Sequence, residues 1–238
     1  MLHEQEHAKQ FLVIKHNAIC FESKEPVDGW EPVEYLNPRT QETGIKYVKK
    51  FKAVEGYVDK VEWYRREDAK TGVVFAGWKV HLSDGEEQYI LDIPFGIPAY
   101  GYFVKAAENI DWTQKVSFSA WKNKEDGKTA FAARQGDQTI KQKYSAAHPG
   151  DCPAPIEKRT PTGTKWDYSD QEIWLKDRME KVVLPAIDKA AQSRAAYQAQ
   201  APTQKSAPPP AAKSSGKAAD TEPEWPDPNY DDDMGIPF

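Results

Sequence analysis

The chain has 238 residues, 39% of them hydrophobic, with 18 Pro, 8 Trp and a formal net charge of -5. No run approaches the roughly 20 apolar residues of a spanning helix. The two cysteines, Cys20 and Cys152, are too few for a disulfide framework and form no CxxC metal site.

The opening MLHEQEHAKQ lacks the basic start and long apolar segment of a secretory leader, so a reduced, cytoplasmic chain is expected. Phe11 to Phe21 predicts a strand, bounded by Pro26, Asp28 and Gly29. After a loop running through Gly44, Ile45 to Arg66 predicts a long strand or strand pair, with Gly56 at a bulge or bend. Val73 to Leu82 and Gln88 to Ile93 predict a hairpin about Ser83-Asp84-Gly85. Ala99 to Ile110 allows a short helix, and Val116 to Trp121 with Thr129 to Arg134 predicts a second hairpin. Trp166 to Gln200 reads as a helical appendix with Ser169 or Asp170 as N-cap and Pro185 interrupting it. Its apolar face would pack on the sheet or meet another copy.

The expected fold is therefore mainly β. Long strand, hairpin, helix, hairpin is the order of a five-stranded OB barrel, in which a helix lies between the third and fourth strands. An SH3-like barrel or a small open sheet would show similar strands.

Two windows combine cations with rings. Arg39 to Arg66 holds 8 basic and 4 acidic residues, and Trp112 to Lys165 holds 10 basic and 5 acidic. Lys and Arg neutralise phosphates while ring faces stack on unpaired bases, so single-stranded nucleic acid is the ligand such mixtures suit. The candidate contacts are Lys49, Lys50, Lys52, Trp63, Tyr64, Arg65, Lys115, Trp121, Lys122, Phe131 and Arg134. Alternation puts Tyr47, Lys49 and Phe51 on one strand face, where the two rings serve either the core or a ligand. Trp78 equally fits the barrel interior. Trp121 and Phe118 are three apart, hence on opposite faces, so at least one of them is structural.

Catalysis, a metal and a cofactor are not expected. Asp84, Glu86, Glu87 and Asp92 fit turn chemistry and a solvated face, and the five His form no HxH or HExxH pair.

The last segment differs in kind. From Ala201 to Phe238 there are 3 Lys against 7 Asp and Glu, which leaves the preceding 200 residues near neutral. Residues 201–221 are Pro, Ala, Ser and Lys with almost no large apolar group, the composition of a flexible linker. From Glu222 all charges are negative, and the chain ends Asp231, Asp232, Asp233, Met234, Gly235, Ile236, Pro237, Phe238. Apolar groups beside an acidic run gain from a partner with a small apolar pocket and a basic rim.

This DDDMGIPF ending resembles the acidic tip of the single-stranded DNA-binding (SSB) proteins of bacteria and phages, with Met234 and Gly235 as two extra residues inside it. The resemblance implies an OB-fold core on single-stranded DNA and a tip that recruits replication, recombination and repair proteins. Phe238 would enter the partner pocket, with Ile236 and Pro237 beside it and Asp231, Asp232 and Asp233 on its basic rim. The core is longer than that of the usual bacterial protein, which points to a divergent phage-type member and to a dimer before a tetramer. The expected organisation is a DNA-binding core over 1–165, the helical appendix over 166–200, the linker over 201–221 and the interaction tip over 222–238. A recombination mediator or annealing protein, an adaptor that never touches DNA, and RNA binding are the alternatives.

Overall fold

The computed structural model describes residues 9–36, 42–85, 87–161 and 163–200. The linker and tip expected over 201–238 lie outside the described residues, as do Arg39, Glu86, His3 and His7.

The fold is mainly β. Strands β1 (Gln10–Lys15), β2 (Ala18–Ser23), β3 (Glu31–Leu36), β4 (Thr43–Phe51), β5 (Ala53–Glu67), β6 (Val74–Ser83) and β7 (Gln88–Pro94) precede helix α1 (Pro98–Ala106). Strands β8 (Val116–Lys122), β9 (Thr129–Gln135) and β10 (Gln138–Thr139) follow, then β11 (Ile156–Thr160) and β12 (Gly163–Asp167). Helices α2 (Ser169–Arg178) and α3 (Leu184–Gln200) close the described chain. Ten strands form one curled half-barrel sheet in the order β10-β9-β8-β5-β6-β7-β1-β2-β4-β3, while β11 and β12 pair only with each other. Within the large sheet the β1/β7 pair is parallel and the other pairs are antiparallel.

The expected order of long strand, hairpin, helix and hairpin runs over β5 to β9. The sheet has ten strands rather than five because the first 51 residues contribute four of their own and the short β10 adds one after β9. Phe11 to Phe21 is a hairpin, not one strand: His16 and Asn17 have φ of 53° and 57°, a two-residue turn whose twist matches the strands it joins. Ile45 to Arg66 is a pair, broken at Lys52. Strand β4 ladders with β2 and β3, whereas β5 ladders with β6 and β8. The bulge falls between Val58 and Lys60 rather than at Gly56. Gly56 instead answers a close approach, since a Cβ there would lie 2.8 Å from the Ser83 carbonyl oxygen.

Both expected hairpins, β6/β7 and β8/β9, are present. Their alternation sends Trp78, Val80, Leu82, Leu91, Ile93, Phe118 and Phe131 inward, where α1 covers them with Tyr102, Phe103 and Ala106.

The helical segment starts at Ser169, three residues later than Trp166, because Trp166 belongs to β12. Neither Ser169 nor Asp170 is its N-cap. Tyr168 holds that position, and the Asp167 carboxylate accepts from the Ser169 amide at 3.0 Å and its hydroxyl at 2.6 Å. Pro185 has no N–H to give, and the preceding turn widens to a π-helical one over Met179–Val183. Leu175, Met179, Val183, Ile187 and Ala190, three to four positions apart, are buried in the same core as the curled sheet. Arg194 fastens α3 at the bulge, donating to the carbonyls of Val58 at 2.6 Å and Trp112 at 2.7 Å and to Asp59 at 3.2 Å.

Candidate nucleic-acid interface

The two faces of the sheet differ in how their charges are used. On the outer face cations sit beside carboxylates: Lys15 and Lys46 on Glu22 at 3.1 and 2.8 Å, Lys50 on Glu31 at 2.7 Å, and Lys60 on Glu62 at 2.6 Å. His81 reaches the same Glu62 at 3.0 Å. Burial pushes the Glu22 carboxyl up, but its hydrogen bonds from Lys46 and Lys15 prevail and hold it below the ordinary value. Tyr64 donates to Asp92 under the Lys79 ammonium, and burial raises the pKa of both. On this face Lys15, Lys46, Lys50 and Lys60 are thus each matched by a carboxylate.

The inner face is different where the core runs out. Alternation along β2 and β4 places Ile19 and Phe21, then Phe51, Lys49 and Tyr47, on the concave, core side of the sheet. Ile19 is fully buried, while Phe21, Phe51 and Tyr89 of β7 are half-buried and pack against the core edge. Phe21 lies between Trp30 and Tyr89 with centroids 6.1 and 6.5 Å away and ring planes within 18° and 23°. Phe51 closes on Phe21 edge-on at 4.8 Å. The Lys49 ammonium sits 5.4 Å over Phe51, and among the described residues it has no carboxylate partner. The Tyr89 hydroxyl donates to Glu87, which with burial pushes its pKa up to about 12, so it stays a neutral donor.

A second group borders this aromatic mouth. Ala53 pairs with Ser119, so Lys52 ends on the rim that holds Trp121 and Lys122. Thr129, opposite Lys122, donates its hydroxyl to Asn17 at 2.8 Å and so ties the β1/β2 turn to the same rim. Trp121 is half-buried against the core, and Lys52 and Lys122 are exposed without a carboxylate partner among the described residues.

Comparison with known proteins gives no match. No family model, no curated protein and no solved structure matches the chain.

The remaining expected contacts fall elsewhere. Trp63, Tyr64 and Arg65 lie at the far end of β5, roughly 40 Å of strand from Lys52. Trp63 packs edge-on against Trp78 at 5.1 Å beneath the Lys176 ammonium, and Tyr64 points to the opposite, outer face. Arg65 is exposed. Lys50 is ion-paired on the outer face, and Lys115 lies 5.8 Å over Tyr57. The Arg134 Nε donates to the Thr139 hydroxyl at 3.3 Å.

Phe131 is a correction. It is 1% exposed and stacked on Phe118 at 5.8 Å, because alternation on β9 turns it toward α1, where no base can reach it. Of Trp121 and Phe118, Phe118 is the structural one.

Phe21, Trp30 and Tyr89 were not among the expected contacts, since their convergence depends on the β1/β7 and β2/β4 pairings. Among the described residues no group of three His, Cys, Asp or Glu is arranged to hold a metal ion, and no helix is long and apolar enough to cross a membrane.

Proposed function

We propose that this protein binds single-stranded DNA without sequence preference, as in replication, recombination or repair, and that residues 222–238 recruit partner proteins. The observation that carries the reading is the aromatic mouth. Near-parallel half-buried rings stand at an open end of the core beside lysines without a carboxylate partner among the described residues, while Lys15, Lys46, Lys50 and Lys60 of the outer face are matched by carboxylates. Ring faces accept any unpaired base, whereas bases stacked inside a duplex cannot reach them. In this reading β5 to β9 with α1 are an OB barrel elaborated by β1 to β4 at one edge and by α2 and α3. Phe238, Pro237 and Ile236 would fill an apolar pocket of the partner, with Asp231, Asp232 and Asp233 against its basic rim.

Fluorescence anisotropy with labelled oligo-dT, oligo-U and a duplex of equal length tests this on the full chain. The proposal expects oligo-dT to bind more tightly than duplex, and the double variant F21A/W30A to lose roughly tenfold or more on oligo-dT. Equal binding to duplex, or an unchanged F21A/W30A, would overturn it. Tighter binding to oligo-U would redirect it to RNA.

A further inference from the structure

One group at the aromatic mouth carries the charge that a phosphate repels. Glu87 stands immediately before β7, and its amide donates to the Asp84 carboxylate at 3.0 Å, which fixes it in the β6/β7 turn. Its own carboxylate accepts the Tyr89 hydroxyl. Tyr89 in turn lies 6.5 Å from Phe21 with the two ring planes within 23°, so the carboxylate is held at the edge of the stacked rings. Glu87 is exposed and has no cation partner among the described residues.

Lys49, over Phe51, is the opposite case, a cation without a carboxylate partner among the described residues. The two charges flank Phe21 of β2, Lys49 on β4 and Glu87 at the start of β7, three strand spacings or roughly 14 Å apart. At that separation neither neutralises the other. Phosphates are drawn to Lys49 and repelled by Glu87, so a strand stacked on these rings runs its backbone past β4 and turns its base edges toward β7. Of the four bases guanine offers a carboxylate the most. Its N1–H and N2–H point the same way and match two oxygens, whereas adenine and cytosine offer an amino group beside an acceptor and thymine one N–H between two carbonyls. A carboxylate has about four lone-pair positions, and Tyr89 takes one of them.

We propose that Glu87 accepts hydrogen bonds from the edge of a base stacked in the aromatic mouth and gives that position a preference for guanine. The inference rests on the reading of the chain as a single-stranded DNA-binding protein. Stacking admits every base, and the carboxylate adds a bias at one position along the strand.

The test is fluorescence anisotropy of the full chain and of E87Q with oligo-dT, alternating d(TG) and alternating d(TI), each of about 16 nucleotides, the upper end of what one OB-type unit covers. Inosine is guanine without its N2 amino group, so d(TG) and d(TI) stack alike and differ in what they donate. E87Q keeps an oxygen for the Tyr89 hydroxyl and removes the charge. The unaltered chain should bind d(TG) roughly fivefold or more tighter than d(TI), and E87Q should bring the two within about twofold without weakening oligo-dT. Equal binding of d(TG) and d(TI) by the unaltered chain, or a preference that survives in E87Q, overturns the guanine contact while the mouth stands. Failure of the unaltered chain to bind any of the three overturns the underlying reading itself.

Discussion

Phe131 and Trp30 show how one residue's neighbours set its role. Phe131 is enclosed by Phe118 and Tyr102, so Phe131→Ala should cost about 3–5 kcal/mol of stability, read from the midpoint of urea unfolding. Trp30 is half-buried and follows a turn, so the aromatic mouth should lose it with a far smaller stability cost. Asn17 combines two roles. Asn17→Ala places a Cβ-bearing residue without a polar side chain at φ 57° and deletes the Thr129 hydrogen bond, for an expected loss of about 1–2 kcal/mol in the same measurement. That the pair His16-Asn17 turns the chain was hard to foresee. It is not the Asn-Gly or Asp-Gly pair that marks such turns, and Phe11 to Phe21 scans as one alternating run. Trp78 was legible as a core candidate, and the shared face of Tyr47, Lys49 and Phe51 followed from period-two geometry alone.

Elements are held together by a few buried polar contacts, of which Glu108 is the clearest. Its side chain is 4% exposed and meets Arg178 of α2 at 2.7 and 2.8 Å, Lys143 at 2.8 Å and the Tyr144 hydroxyl at 2.7 Å. Burial pushes its pKa up, but these hydrogen bonds prevail and bring it to about 2, against 4.5 when unfolded. The folded value is depressed, so the stabilisation is complete above pH 4.5 and is lost as pH falls toward 2. It is of the order of 3 kcal/mol. Urea midpoints measured from pH 6 down to pH 2 should therefore fall more steeply for the unaltered chain than for E108Q. Parallel curves would contradict this. The hairpins β6/β7 and β8/β9 and the helix between them were readable because turn residues and alternation agree locally. The long-range pairings of β1 with β7 and of β2 with β4 were not, because nothing in either segment names its partner. The aromatic mouth depends on those pairings, which is why Phe21 and Tyr89 were not among the expected contacts, whereas Trp121 and Lys122 lie on a hairpin whose strands the local pattern marks.

Across the whole molecule, charge is distributed unevenly. Residues 201–238 carry 3 Lys and 7 Asp and Glu, so a chain ending at Gln200 loses most of the net charge of -5. At low ionic strength that truncation should tighten oligo-dT binding, and the gain should vanish as salt screens the tail. Equal affinity of both forms at low salt would show that the tail does not act on the binding surface.

The central claim is that unpaired bases stack in the aromatic mouth, and the most direct measurement is intrinsic tryptophan fluorescence during titration with oligo-dT and duplex DNA at two salt concentrations. The unaltered chain should be quenched by oligo-dT, less so at higher salt and less by duplex, and W30F should lose a large part of that quench while still binding. A chain that shows no quench, or whose quench by oligo-dT is the same in W30F, would contradict the account.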